Sequence, residues 1–164
     1  MVNDRLSTRL PIPIATSALL QLHSILPLLP AKKSVGILTF DGTQLGDKHL
    51  TQIGLSQEAI RRTIIKGPPS SGHLHRLIKQ NAPYSHSDIE NELVQTARQL
   101  LKERPDVGAI LLECTQMPPF ADAIQRALQL PIYDVYTMGC WFYSGLVRER
   151  PRYWGPVDLS EGSK

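Results

Sequence analysis

The residue best suited to chemistry in this 164-residue chain is a cysteine set in a turn. Residues 107–113 form an almost uninterrupted apolar run ending in Glu113, the pattern of a strand buried on both faces. Cys114, Thr115 and Gln116 follow as a polar turn. Pro118 and Pro119 then open a helical pattern over 120–128, since proline is tolerated in a first helical turn. A thiol between strand and helix faces the partial positive charge of the helix N-terminus, which favours thiolate and lowers the pKa. Thr115 adds a hydroxyl and a backbone N–H. Together the two residues could hold a carboxylate while the sulfur works on the neighbouring carbon. Position alone also suits a small packing residue, the usual state of a free cysteine.

Other polar residues fall at strand ends. Thr39 and Asp41 close an apolar run at 34–40, where each can contact a substrate or cap a helix. Thr16 and Ser17 close the segment 11–16 with the same two readings. Cys140, in a Gly-Cys-Trp context, reads as a packing residue of a last helix. His73 and His75 stand two apart, so they share no helical face, and no nearby cysteine or carboxylate completes a ligand set; no metal is expected. The loop 67–72 lacks the G-x-x-x-x-G-K-[ST] phosphate cradle and reads as a flexible rim, without nucleotide.

These residues need a scaffold. Strand patterns occur at 11–16, 34–40, 62–66, 107–113 and 131–136. Between them lie a helix capped by Ser17, one ending near Gly54, one over 73–81, and a long helix capped by Ser87. Ile89, Leu93, Ala97, Leu100 and Leu101 form the apolar stripe of the long helix. A helix over 120–128, a last one over 139–147 and an irregular tail at 148–164 complete the order. Strand alternating with helix predicts an α/β fold, a Rossmann-like parallel sheet with helices on both faces and right-handed crossovers. Ligands of such sheets sit outside the carboxyl ends of the strands. Three polar turns fall there, at 39–43, 67–72 and 113–116.

Composition narrows the partners. Lys and Arg total 18 against 15 for Asp and Glu, a net charge of +3 with no long basic run, which argues against nucleic acid. Two cysteines make no disulfide framework and fit a reducing cytoplasm. Arg5 and Arg9 before an apolar stretch at 10–30 mimic a leader, but Asp4, Pro11, Pro13, Gln21, His23 and Pro27 break the pattern. No run of 18 apolar residues exists, so no membrane span is expected.

The stretch Leu111-Leu112-Glu113-Cys114-Thr115-Gln116-Met117-Pro118-Pro119-Phe120, with 121–125 and 130–134, resembles the aspartate/glutamate/hydantoin racemase superfamily around its second catalytic cysteine. Residues 11–17 and 35–41 resemble the end of that family's first domain and the start of its second. The resemblance spans 10–146. It implies two pseudo-symmetric α/β domains, no cofactor, and two cysteines flanking the α-carbon of a small carboxylate. One removes the α-proton and the other returns one, a general acid–base inversion. Cys114 becomes one acid/base, Thr115 helps bind the substrate carboxylate, and Thr39, Asp41, Thr16 and Ser17 are further substrate-contact candidates. The implied organisation is a first-domain remnant at 1–30, the second domain at 31–140, and a C-terminal helix and tail at 141–164.

The family's first cysteine precedes the segment matched by 11–17, and here only ten residues precede Pro11, none of them cysteine. Three expectations follow: a truncated product, a non-catalytic member, or a single-cysteine lyase resembling the arylmalonate decarboxylases. The first two rank ahead of the third. A strand at 11–16 deprived of neighbours would be an exposed edge, which predicts an association-prone chain and a homo-oligomer. Trp141, Phe142, Tyr143, Tyr153 and Trp154 are expected to pack the C-terminal segment onto the domain or to form an oligomer contact.

Overall fold

The computed structural model describes residues 2–149, with side chains from Arg5 onward. The expected α/β fold is what it shows. Four parallel strands, β1 (Ser34–Leu38), β2 (Thr63–Lys66), β3 (Val107–Leu112) and β4 (Ile132–Tyr133), lie in the order β2-β1-β3-β4. The apolar runs read from the sequence are the central pair, β1 and β3, which is why they carry almost no polar side chains. Ile37 stands opposite Ile65 on one side and Leu111 on the other.

Side chains alternate across the sheet. Val35, Ile37, Ala109 and Leu111 face a layer made by a 3₁₀ turn (Ala18–Gln21), α2 (Leu22–Leu28), α3 (Asp47–Gln52) and α4 (Gln57–Arg61). Leu38, Ile110 and Leu112 face α5 (His73–Gln80), α6 (His86–Glu103) and α7 (Ala121–Leu128). The stripe expected on the long helix is the buried one: Ile89, Leu93, Ala97 and Leu100 all point into this second core. Gly36 lets α6 approach closely, because a Cβ there would lie 2.8 Å from both Leu100 Cδ2 and Ile110 Cδ1. At the amino edge, Arg104 donates to both carboxylate oxygens of Asp106 (2.8 and 2.9 Å), and Ser34 donates to the same carboxylate, pinning the start of β1 to that of β3.

Several local expectations need correction. Residues 11–16 form no strand. Pro11 and Pro13 lack N–H donors, and no sheet edge in the described residues takes them up. The long helix is capped at Ser85 and starts at His86, two residues before the start that a cap at Ser87 predicts. Asp88 in its first turn suits the helix dipole, and a His86–Glu90 pair at 3.5 Å supports the earlier start. The strand expected over 131–136 stops at Tyr133. There Asp134 accepts from the Thr137 N–H (2.8 Å) and the Thr137 hydroxyl accepts from the Asp134 N–H (2.9 Å), a reciprocal cap that starts α8 (Val135–Leu146) four residues before the expected 139. Residues 140 and 141 both lie within α8. Two further helices were not anticipated, α1 (Val2–Ser7) and α4, the latter capped by Ser56 accepting from the Ala59 N–H. Tyr153 and Trp154 lie outside the described residues.

Candidate active site

The parallel sheet brings the ends of β1 and β3 together at its carboxyl edge. Thr39, just past β1, is buried; its N–H donates to the Lys66 carbonyl (3.0 Å) and its hydroxyl donates to Glu113 Oε2 (3.0 Å). The Glu113 N–H donates to the Leu38 carbonyl (2.8 Å), so both ends of Glu113 are fixed. Asp41 Oδ1 accepts from the Thr43 N–H (2.9 Å) and hydroxyl (2.6 Å). Those bonds, then the nearby His75 and Lys79, hold the Asp41 carboxyl below its ordinary value. Gly42 and Gly67 meet backbone to backbone: a Cβ on Gly42 would lie 2.8 Å from the Gly67 nitrogen, and one on Gly67 would lie 2.6 Å from the Gly42 nitrogen.

These residues open onto a shallow cavity of about 380 Å³ lined by Thr39, Phe40, Asp41, Gln44, Leu45, His49, Lys79 and Glu113. Its volume suits a small molecule. Two cationic or donor groups line it that the sequence reading missed. Lys79, near the end of α5, sits 5.5 Å from the centroid of the Phe40 ring, whose face also stacks on His75 at 4.0 Å. His49 Nδ1 accepts from the Gly46 N–H (3.2 Å), which leaves Nε2 as the protonated nitrogen of the neutral ring. Lys66, the other cation near this edge, is spent on Glu103 of α6 at 2.8 Å.

Cys114 follows Glu113 directly. Its side chain is half-buried against the second core. Burial pushes the thiol up from its ordinary value; a bond from the Gln116 N–H opposes this, and the Glu113 carboxylate adds to the rise. This corrects the expected lowering. The helix after Cys114 begins with a 3₁₀ turn, Pro118–Phe120, whose two prolines have no N–H, and α7 proper starts at Ala121. The dipole therefore sits too far away, with too few donors, to prevail over burial. Thr115 is exposed and, like Cys114, is not among the residues lining the cavity.

Thr16 and Ser17 do not join this cavity either. Ser17 Oγ caps the 3₁₀ turn by accepting from the Leu19 N–H (3.2 Å), and Thr16 is exposed. They adjoin a second, mainly apolar groove of about 480 Å³ between the 3₁₀ turn, α2, β4 and α8, lined by residues such as Ile14, Leu28, Tyr133, Trp141 and Phe142. Gln21 joins its polar end, donating to the Asp134 carbonyl (2.8 Å) and accepting from the Thr137 hydroxyl (3.1 Å). Cys140 is exposed on α8, which corrects its reading as a packing residue. Among the described residues no cluster of three or more His, Cys, Asp or Glu is placed to hold a metal, and no helix is long and apolar enough to cross a membrane.

No protein-family model matches the chain. Over 144 residues it is 28% identical to a dimethylsulfoniopropionate lyase of Durusdinium sp. clade D, a match covering 86% of this chain and 47% of that protein. Over 163 residues it is 28% identical to dimethylsulfoniopropionate lyase 5 of Emiliania huxleyi, covering 93% of this chain and 30% of that protein. The chain thus spans half or less of the length of these curated relatives. Among solved structures it is similar to allantoin racemase from Pseudomonas fluorescens (TM-score 0.59, 18% identity, 96% of this chain and 65% of that one). It is also similar to a glutamate racemase of Bacillus anthracis (TM-score 0.54, 14% identity, 93% of this chain and 53% of that one). These likenesses establish the racemase-type fold.

Proposed function

We propose that this chain carries the thiol-bearing lobe of a cofactor-independent lyase acting on a small carboxylate with a sulfonium leaving group, of the dimethylsulfoniopropionate kind. The observation that carries the reading is the half-buried thiol of Cys114 at the carboxyl end of β3 beside Glu113, in a chain whose curated relatives are lyases by name. Cys114 can act as the base of either chemistry, proton exchange at an α-carbon or elimination. The names of the relatives support elimination, and the fold is compatible with both chemistries.

In this mechanism the Cys114 thiolate takes the proton on the carbon next to the substrate carboxylate. The C–H electron pair becomes the new C=C bond. The C–S bond to the adjacent carbon breaks, and its electrons leave with dimethyl sulfide, so a sulfonium is lost as a neutral sulfide and acrylate remains. The proton on Cys114 then passes to solvent. A thiol pushed up by burial gives a more basic thiolate, which suits removal of a weakly acidic proton.

The test is dimethyl sulfide release from dimethylsulfoniopropionate by the full chain and by Cys114→Ala. Release above background that falls about 10²–10⁴-fold in the variant supports the reading. Release unaffected by the substitution would overturn it. Absence of release, with Cys114-dependent deuterium exchange at the α-carbon of aspartate or glutamate in D₂O, would return the racemase-type chemistry. Neither activity would leave a non-catalytic member of the fold.

A further inference from the structure

Helix α8 is apolar nearly all round. Its residues, Val135–Leu146, include no Asp, Glu, Lys, Arg or His. A helix of that kind is normally covered on every side. Here only the inner side is covered: Met138 is buried and Phe142 half-buried. On the outer side Tyr136, Gly139, Cys140, Tyr143 and Leu146 are all exposed. Steps of three and four residues put them on one stripe, the seam by which two helices pair. Tyr136 is 72% exposed, Tyr143 62% and Leu146 56%. A Cβ on Gly139 would meet nothing within 4 Å, so the backbone between the two tyrosines is open to a close neighbour. On one flank Trp141 of α8 and Leu28 of α2 stand exposed in the lining of the apolar groove.

We propose that this stripe is the contact between two copies of the chain, α8 against α8 about a two-fold axis near Cys140. A two-fold contact presents the same patch from both sides, so the patch must complement itself. An uncharged stripe does so, because it brings no like charges together. Tyr136 and Tyr143 are bulky knobs about a turn to either side of Gly139 and Cys140, and those two small residues form the hole that receives a tyrosine of the other copy. The exposed parts of Tyr136, Tyr143, Leu146, Trp141 and Leu28 amount to roughly 700 Å² per copy, close to the ~800 Å² that a standard interface takes from each partner. A lipid surface fits less well, since helices that lie on membranes carry a strongly charged face and α8 has none. The inference is independent of the lyase reading.

The experiment is sedimentation of the full chain over a range of concentrations, with two charge variants in the stripe. The parent is expected to pass from monomer to dimer as concentration rises. Tyr143→Glu and Tyr143→Lys are each expected to raise the dimer dissociation constant about tenfold or more, and an equimolar mixture of the two is expected to restore the dimer. Tyr143 is exposed, so both variants keep the monomer fold, which circular dichroism checks. A short bismaleimide should capture the dimer through Cys140 in the Cys114→Ala chain, and adding Cys140→Ser should abolish capture. A parent that stays monomeric at about 100 μM overturns the proposal and leaves α8 to a different polypeptide segment. A dimer that both variants leave intact, or a mixture that dimerises no better than either variant alone, overturns it too. So does a monomeric parent that floats with vesicles of neutral phospholipid, which would turn the stripe toward lipid.

Discussion

The hydroxyl of Thr39 donates to Glu113 Oε2 at 3.0 Å, tying the end of β1 to the residue immediately before Cys114. That bond fixes a carboxylate beside a half-buried thiol. Glu113 adds to the rise of the Cys114 pKa after burial itself, so Glu113→Gln should lower it. Alkylation of Cys114 by iodoacetamide, measured against pH in a Cys140→Ser background, should move to lower pH in Glu113→Gln. An unchanged profile would mean that the carboxylate does not act on the sulfur.

The direction of the Cys114 shift also sets the pH dependence of turnover. The active form is the thiolate, and a raised thiol pKa makes thiolate scarcer at neutral pH. Sulfide release should therefore climb through the alkaline range, with a midpoint above the ordinary thiol value of about 8.5. Initial rates between about pH 7 and 10 test this. A maximum at or below neutral pH would contradict it.

How legible all this was in the sequence depended on the range of the signal. The β3 run, the Cys114 turn and the α6 stripe were readable because hydrophobic periodicity is local. The cap that ends β4 is also written locally, as Asp134 three residues before Thr137, but it competes there with the β-propensity of Val135 and Tyr136. His49, Lys79 and the seating of α5, where Glu92 accepts from the His73 N–H, were not readable. They come from separate segments, and only the strand order and the packing of α5 on α6 bring them to one place. The residues at 11–16 failed for the opposite reason: they have β-type residues but no partner in the sheet.

Asp106 provides a stability test at the other edge of the sheet. Hydrogen bonds from Arg104 and then Ser34 hold its carboxyl well below the usual carboxylate range. A depressed folded-state pKa contributes stability that is full above the unfolded value of about 3.9 and is lost as pH falls below it. Asp106→Asn should thus be less stable than the parent at pH 7, and the difference should shrink as pH falls toward 3. Urea midpoints across about pH 3–7 measure this.

Gly36 sits where β1 meets α6, and a methyl group there must displace Leu100 and Ile110. Gly36→Ala should cost about 1–3 kcal/mol by urea denaturation. A neutral outcome would mean that α6 recedes from the sheet at no cost.

The association expected from an edge strand at 11–16 shifts to side chains, since that strand does not form. Trp141 is 68% exposed and Leu28 is 78% exposed, and both line the apolar groove beside α8. We expect the chain to elute from size exclusion with a concentration-dependent mass, and Trp141→Ser with Leu28→Ser to reduce it. A concentration-independent monomer would count against self-association.

The bare contact of Gly42 with Gly67 fixes the residue type at both positions. The two backbones meet there with no side chain between them. Any residue larger than glycine at either position must therefore push apart the loops that follow β1 and β2, so both positions are closed to side chains.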